Sequence, residues 1–342
     1  MTDLTKAKDP HMGSKSRSFV DRLPSWLGVW EITLLSLVII AFVFAASSSP
    51  FFATGRNFAI TAAGTSSLAL MVMTMVWVMI AGEIDLSVAS VFGLAGVVFG
   101  IGVEVGVDPV FAMLAGLMVG GGAGLFNGLL IVGFGLPSLV VTVGTLGLFR
   151  GLAFILLESR SISALPAGFT AFAQGNIYGT YIPFTFVLVV VIAAISGVLL
   201  QRGTIGRKIY SVGSSPVVSR FSGIRVNRIR VLLFVVSGTV AALAGMIYAG
   251  YVSSARASNG TGLELSVVAI VLIGGVSMYG GKGSFVGVLL SLVLVTILTS
   301  AMNLAYISTN VQYTVLGLLM IGAVVVPVLV RRISARRRHP AS

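Results

Sequence analysis

Four residues place a charge or an amide where the surrounding chain is apolar: Glu83, Asp85, Asn127 and Arg150. The two carboxylates lie in Gly82-Glu83-Ile84-Asp85-Leu86-Ser87, between one apolar run and the next. Carboxylates at such a boundary are costly unless solvated or paired, and two chemistries fit them. Asp85 can cap a helix beginning at Leu86, with Glu83 solvated locally. Alternatively, both can face a solute pathway or a partner surface. Arg150, in Gly147-Leu148-Phe149-Arg150-Gly151-Leu152, must face protein or water rather than lipid, either as a structural pairing residue or as a pathway residue. Asn127 joins these as a pathway or helix-boundary candidate. Covalent and metal chemistry has little to work with. There is no cysteine, and the two histidines, His11 and His339, stand in the terminal tails. Serines are plentiful but have no membrane histidine as a base. No catalytic residue and no metal site are expected.

The elements that position these residues follow from composition. Hydrophobic residues make up 56% of the 342 and charged residues 9%, against roughly 25% charged in soluble domains. With a mean hydropathy of +1.05, the chain reads as an all-α polytopic membrane protein. At about 20 residues per crossing, apolar stretches fall at 31–52, 58–82, 86–104, 109–133, 138–157, 181–200, 230–252, 264–280, 285–305 and 311–330. That predicts about ten transmembrane helices with both termini cytoplasmic. The weakest boundaries are at Gly82 and Gly280, where glycines can break a helix. The organisation is then a cytoplasmic tail (1–30), a membrane domain (31–330) containing a cytoplasmic loop (201–229), and a basic tail (331–342). Trp26 and Trp30 mark a membrane interface. Eighteen of the 22 basic residues fall on the cytoplasmic side of this arrangement, as the positive-inside rule requires. The net charge of +12 is therefore explained by topology and anionic lipid rather than by nucleic acid.

The longest polar interruption in the second half, 201–230, has seven basic residues and no acidic one. Within it Ser215 is a good N-cap, Pro216 suits the first helical position, and Gly223 supplies a left-handed stop. Val217, Val218 and Phe221 share one face of the short helix; Ser219, Arg220 and Ser222 take the other. Such a helix is either a plug for a socket on another protein or an element lying on the lipid surface.

Three further segments carry information. Ala112, Gly116, Gly120, Gly124 and Gly128 recur every four residues and predict a helix packed closely at its backbone. The loop 158–181 is long enough to hold an interfacial helix with Phe169 and Phe172, which either receives a soluble partner or covers the bundle. Gly280-Gly281-Lys282-Gly283-Ser284 is not a phosphate loop, because Val276 stands where the first glycine is needed and Gly283 where Ser or Thr is needed. Nucleotide energy would have to come from another subunit.

Five blocks together resemble a known family: GEIDLSVAS (82–90), GLFNGLL (124–130), LPSLVVTVGTLGLFRGLAF (136–154), GRKIYSVG with SRFSGI (206–213 and 219–224), and AIVLIGGVSMYGGKGSFVGV (269–288). In this order they are similar to the ribose-type permeases of bacterial ABC importers, over about residues 50–326. The run 136–154 is somewhat closer to permeases for rhamnose or the autoinducer-2 signal. The resemblance implies a permease of the bacterial cytoplasmic membrane that pairs with a second permease subunit, as homodimer or heterodimer. It also implies a cytoplasmic ABC ATPase, which would bind the ATP and magnesium, and an extracytoplasmic sugar-binding protein. The family's coupling segment matches Gly213–Ile224, making Pro216, Val217, Val218, Arg220, Phe221 and Gly223 the ATPase-docking residues. Ser215–Val218 depart from the acidic residue and alanines usual there. Phe169 and Phe172 would meet the binding protein. The rival reading, a self-contained secondary transporter, would need intramembrane ion sites. The chain offers only Glu83, Asp85, Arg150 and Glu264, all near span ends except Arg150.

Overall fold

The computed structural model describes residues 28–338, and of residues 324 and 326–338 the backbone only. The expected N-terminal tail up to residue 27, with Trp26, and the end of the basic tail with His339 lie outside the described residues.

Every regular element among the described residues is a helix: α1 (Val29–Ser48), α2 (Gly55–Ile80), α3 (Val88–Glu104), α4 (Pro109–Phe134), α5 (Ser138–Leu157), α6 (Ala167–Gln174), α7 (Phe184–Gln201), α8 (Thr204–Ser214), α9 (Pro216–Phe221), α10 (Val226–Tyr251), α11 (Leu263–Ile273), α12 (Phe285–Leu304) and α13 (Thr309–Arg338). Seven of them are long and apolar enough to cross a membrane: α1, α2, α4, α5, α7, α10 and α12. Helix α13 continues through Arg338, so its last turns occupy most of the segment expected from the sequence to be a tail after 330. The arginine-rich run 331–338 contains no glycine or proline to end it.

The centre of the bundle is α10, packed against α4, α3 and α2. Lipid is as apolar as leucine, so burial alone drives little association between spans; close packing must do it. The sequence supplies the means. Gly116, Gly120, Gly124 and Gly128 of α4 face α10 antiparallel, meeting Met246, Gly238, Phe234 and Val231 in turn. A Cβ on Gly124 would stand 2.7 Å from the Phe234 carbonyl carbon and 2.9 Å from Val235 Cα, so only glycine lets the two backbones approach. Helix α2 brings a run of thin, adaptable side chains, with Met71, Met73, Met75 and Met79 all buried. Helix α1 is peripheral. Only Glu31, Leu34 and Ala45 are buried along it, and Trp30 ties it to the bundle by donating Nε1–H to the Ile273 carbonyl at 3.0 Å.

One of the expected spans is not a continuous helix, and another is preceded by non-helical backbone. The stretch expected at 86–104 is found as α3, which starts at Val88 rather than Leu86 and follows a turn and extended segment over 81–87. The stretch expected at 264–280 contains only α11, which stops at Ile273. Gly275 takes φ +85°, a conformation that leaves the helix, and the chain then turns through 276–284. A second irregular segment, 252–262, precedes α11 and forms an antiparallel bridge from Ala255 to Ile162. Helices α3 and α11 are thus each completed by non-helical backbone. Inside a membrane such backbone persists only where protein satisfies its polar groups.

Candidate functional site

One end of the bundle is built around α8 and α9. Helix α8 is strongly amphipathic, burying Gly206, Ile209 and Val212. Its Tyr210 hydroxyl donates to the Gly283 carbonyl at 2.8 Å, and burial pushes the phenol above its usual range, keeping it a donor. Near the last turn of α8 two irregular segments meet each other and the helix backbone to backbone. Gly281 N–H donates to the Ile80 carbonyl at 2.8 Å. A Cβ on Gly280 would lie 2.6 Å from Gly82 Cα, and one on Gly213 would collide with the Ile80 carbonyl and the Gly281 nitrogen. Gly82, Gly213, Gly280 and Gly281 therefore form a node in which α8 touches the non-helical segments beside α3 and α11.

Helix α9 stands beyond this node. Ser215 caps it, accepting from Val218 N–H at 3.3 Å; Pro216 occupies the first turn, and Gly223 at φ +79° ends it. Ser219 is turned inward, and the Arg220 guanidinium donates to Asn227 Oδ1 at 3.3 Å. The apolar face points away from the bundle: Val217, Val218 and Phe221 are 61%, 62% and 89% exposed.

The extended segment after Gly82 threads inward from the node. Glu83 is buried beside Arg230 of α10 in a close ion pair, Oε1 to Nε 2.7 Å. The Ile84 backbone is satisfied from α5: Ser138 Oγ accepts from Ile84 N–H, and Thr142 Oγ1 donates to its carbonyl, each at 3.1 Å. Asp85 is 1% exposed. Its Oδ1 accepts from Ser87 N–H at 3.0 Å and Ser87 Oγ–H at 2.6 Å, and its Oδ2 accepts from Ser237 Oγ–H of α10 at 2.9 Å. Asn127 of α4, fully buried, donates Nδ2–H to Ser87 Oγ at 2.8 Å. The expectation that Asp85 caps a helix starting at Leu86 is thus corrected. Ser87 occupies the N-cap position, and the Asp85 carboxylate instead joins the extended segment to α10, while Ser87 links it to α4.

Arg150 lies on α5 about 18 Å along the helix from Ser138, at 1.5 Å per residue. Its guanidinium donates to three backbone carbonyls: Ala257 at 2.6 Å, Asn259 at 2.7 Å and Ala89 at 2.9 Å. The first two belong to the irregular segment before α11 and the third to the first turn of α3. Gly93 lies so close to Nη1 that a side chain there would displace it. Arg150 therefore staples α3 and the segment before α11 to each other and to α5. Its rigid fork of donors suits this use, which a single ammonium could not reproduce. Glu264 Oε2 accepts from Gly262 N–H at 3.1 Å, closing the turn that starts α11.

At the opposite end of the bundle from α9, the loop after α5 forms α6, beginning at Ala167. Phe169 is not presented outward. Its ring packs on Phe99, centroids 4.8 Å apart, and against Gly250 of α10, because α6 lies flat on the bundle and glycine there leaves a seat for the ring. Phe172, 38% exposed, stacks on Phe184. Between α1, α2, α7 and α12 lies a cavity of about 570 Å³, with Phe42, Phe52 and Phe186 on its wall beside the hydrogen-bonded set Asn57, Thr61 and Ser300. Sequence reasoning singled out neither this cavity nor Ser237. A serine in an apolar span, two residues from Thr239, was the only available signal for the latter.

Glu83, Asp85 and Asn127 thus gather before the start of α3, Arg150 reaches the first turn of the same helix, and the α9 residues stand apart at the end of the bundle. The backbone contacts of Gly82, Gly213, Gly280 and Gly281 join α8 to the segments 81–87 and 276–284.

Residues 57–324 match a protein family described as the permease component of branched-chain amino acid transport systems. The chain is similar to the autoinducer 2 import system permease protein of Yersinia enterocolitica, 32% identical over 270 residues, or 79% of this chain and 74% of that one. It is 31% identical to the D-allose transport system permease protein of Escherichia coli over 301 residues, 88% of this chain and 92% of the relative. An autoinducer 2 import system permease protein of Klebsiella pneumoniae is 30% identical over 309 residues, 90% and 89% of the two chains. No solved structure matches the chain at a significant level.

Proposed function

This chain belongs to the family of branched-chain amino acid transport system permease components, and from that premise we propose that it is the membrane subunit of an ATP-driven importer for a sugar or sugar-like solute. The substrate class follows the relatives whose names specify autoinducer 2 and D-allose. In this reading α1, α2, α3, α4, α5, α7, α10, α11, α12 and α13 make ten crossings, α3 and α11 being completed by the segments 82–87 and 252–262. Both chain ends and the α8–α9 end face the cytoplasm, in keeping with the basic residues of 201–230 and the positive-inside rule.

The observation that carries the reading is α9. A capped two-turn helix holds Val217, Val218 and Phe221 outward at the basic end of the bundle, and no part of the described chain covers them. Apolar anchors on one helical face suit a groove on a partner protein. The partner is a cytoplasmic ABC ATPase that binds ATP and magnesium and performs the hydrolysis; this chain performs none. A second permease subunit completes the pathway, and an extracytoplasmic sugar-binding protein delivers the solute at the α6 end, where Phe172 rather than Phe169 is available to meet it. When the ATPases close, α9 and α8 move together. The glycine node passes that movement to α3 and α11, and Arg150 makes them shift as a unit between outward-open and inward-open states.

The test is reconstitution of the permease with its ATPase and binding protein in proteoliposomes. Uptake of labelled sugar should require ATP and survive ionophores that collapse every ion gradient. Uptake without ATP that an ionophore abolishes would overturn the reading.

A further inference from the structure

The cavity between α1, α2, α7 and α12 is open from the side. Helix α1 packs on α12 and α7 packs on α2, and the cavity is the space left between the two pairs. Phe42 of α1, Phe58 of α2 and Val293 of α12, all on its wall, remain 47%, 45% and 45% exposed. An apolar space of this size, left empty, forfeits the contacts of every side chain around it. Its depth is that of one leaflet. From Asn57 to Ala69 on α2 it runs about 18 Å at 1.5 Å per residue, against about 15 Å of hydrocarbon in half a bilayer. Its chemistry also changes along that length. Helix α2 ends at the glycine node, so Thr54, Asn57 and Ser300 stand at the mouth away from α9, while Ala69, Val189 and Leu292 line the deep end.

We propose that this cavity holds one phospholipid of the leaflet on the side away from α9, with an acyl chain between α1 and α7 and the phosphate at Arg56. The hydroxyls on the wall are already engaged: Ser300 with Asn57 and Thr61, Thr65 with the Thr61 carbonyl and Ser66 with the Ala62 carbonyl. A polyhydroxyl solute would find few free partners there, whereas a hydrocarbon chain needs none. At the mouth Arg56, between Gly55 and Asn57 in the chain, is exposed and has no ion pair among the described residues. The exposed ring of Tyr181 lies against Gly55, at the level where tyrosines mark a membrane interface. The lipid fills the seam between α1 and α7, and so holds the peripheral helix to the bundle at the end opposite its Trp30 hydrogen bond.

The experiment is native mass spectrometry of the full-length permease in mild detergent, with dioleoyl phosphatidylglycerol added back in steps. The parent should bind one lipid per chain more tightly than all later ones. Ala62→Phe, which puts a ring on the cavity wall, should lose that first lipid and bind the later ones unchanged. Arg56→Gln should weaken the first lipid about fivefold, the factor given by about 1 kcal/mol for one cation at a lipid phosphate. Because Arg56 is exposed, this second variant decides the matter if Ala62→Phe does not fold. A parent that binds all its lipids with one affinity, or an Arg56→Gln protein that binds the first as tightly as the parent, would overturn the proposal. So would labelled D-allose that binds the lipid-free parent and is lost in Ala62→Phe, because the cavity would then hold solute.

Discussion

Replacing Arg150 with methionine should loosen the bundle in a defined place. Methionine replaces the apolar stem of arginine but not its guanidinium, so the change removes three charge-assisted hydrogen bonds while keeping the packing of the stem. A bond to a charged donor contributes about 1.5–3 kcal/mol net, and the guanidinium is only half-buried, so the lower end applies. Three such bonds give about 4 kcal/mol, somewhat less if water enters to satisfy the freed carbonyls. Arg150→Lys should lose about half of that, because an ammonium is a compact donor that cannot span three carbonyls on two segments. The assay is thermal unfolding in detergent together with limited trypsin digestion. The segment before α11 contains exposed Arg256, and its release from Ala257 and Asn259 should make cleavage there faster in Arg150→Met than in the parent. A variant that melts with the parent and is cut no faster at Arg256 would refute the stapling role.

Two further outcomes follow from packing and exposure. Gly124→Leu should force α4 from α10 and destabilise the protein by about 1–3 kcal/mol, because the obstructing atoms are backbone of Phe234 and Val235 and cannot rotate away; an unchanged melting temperature in detergent would contradict the close contact. Phe172→Ser should weaken stimulation of ATP hydrolysis by loaded binding protein while basal hydrolysis persists, whereas Phe169→Ser should lower the melting temperature instead, since that ring is seated against Phe99 and Gly250.

Features set by local chemistry were readable from the amino-acid sequence. The caps of α9 depend on Ser215, Pro216 and Gly223 alone, and the four-residue spacing of glycines in α4 needs only helical periodicity to make a close-packed face. The breaks near Gly82 and Gly280 were visible as glycines. The early end of α11 was not, because AIVLIGGVSMYGG is as apolar as a span and periodicity cannot separate a helix from buried irregular backbone. The partners of the central polar residues were hidden for a different reason. Arg150 bonds to main-chain carbonyls, which every residue has, and Asp85 meets Ser237 from 152 positions away. The inward turn of Phe169 depends on the seat left by Gly250 in another helix, which no reading of 158–181 alone contains.

The account rests on α9 as the place where an ATPase drives this permease, and Phe221→Asp tests it most directly. Phe221 is 89% exposed, so the change costs the isolated permease little, but at a docked surface it would bury an unpaired charge, typically a loss of about 3–5 kcal/mol. The measurement is ATP-driven uptake in proteoliposomes, with co-purification of the ATPase scored in parallel. The predicted result is normal expression and permease pairing, with no ATPase retained or no coupling of hydrolysis to uptake. Normal ATP-driven uptake by the Phe221→Asp protein would contradict the account and leave α9 as a helix resting on the lipid surface.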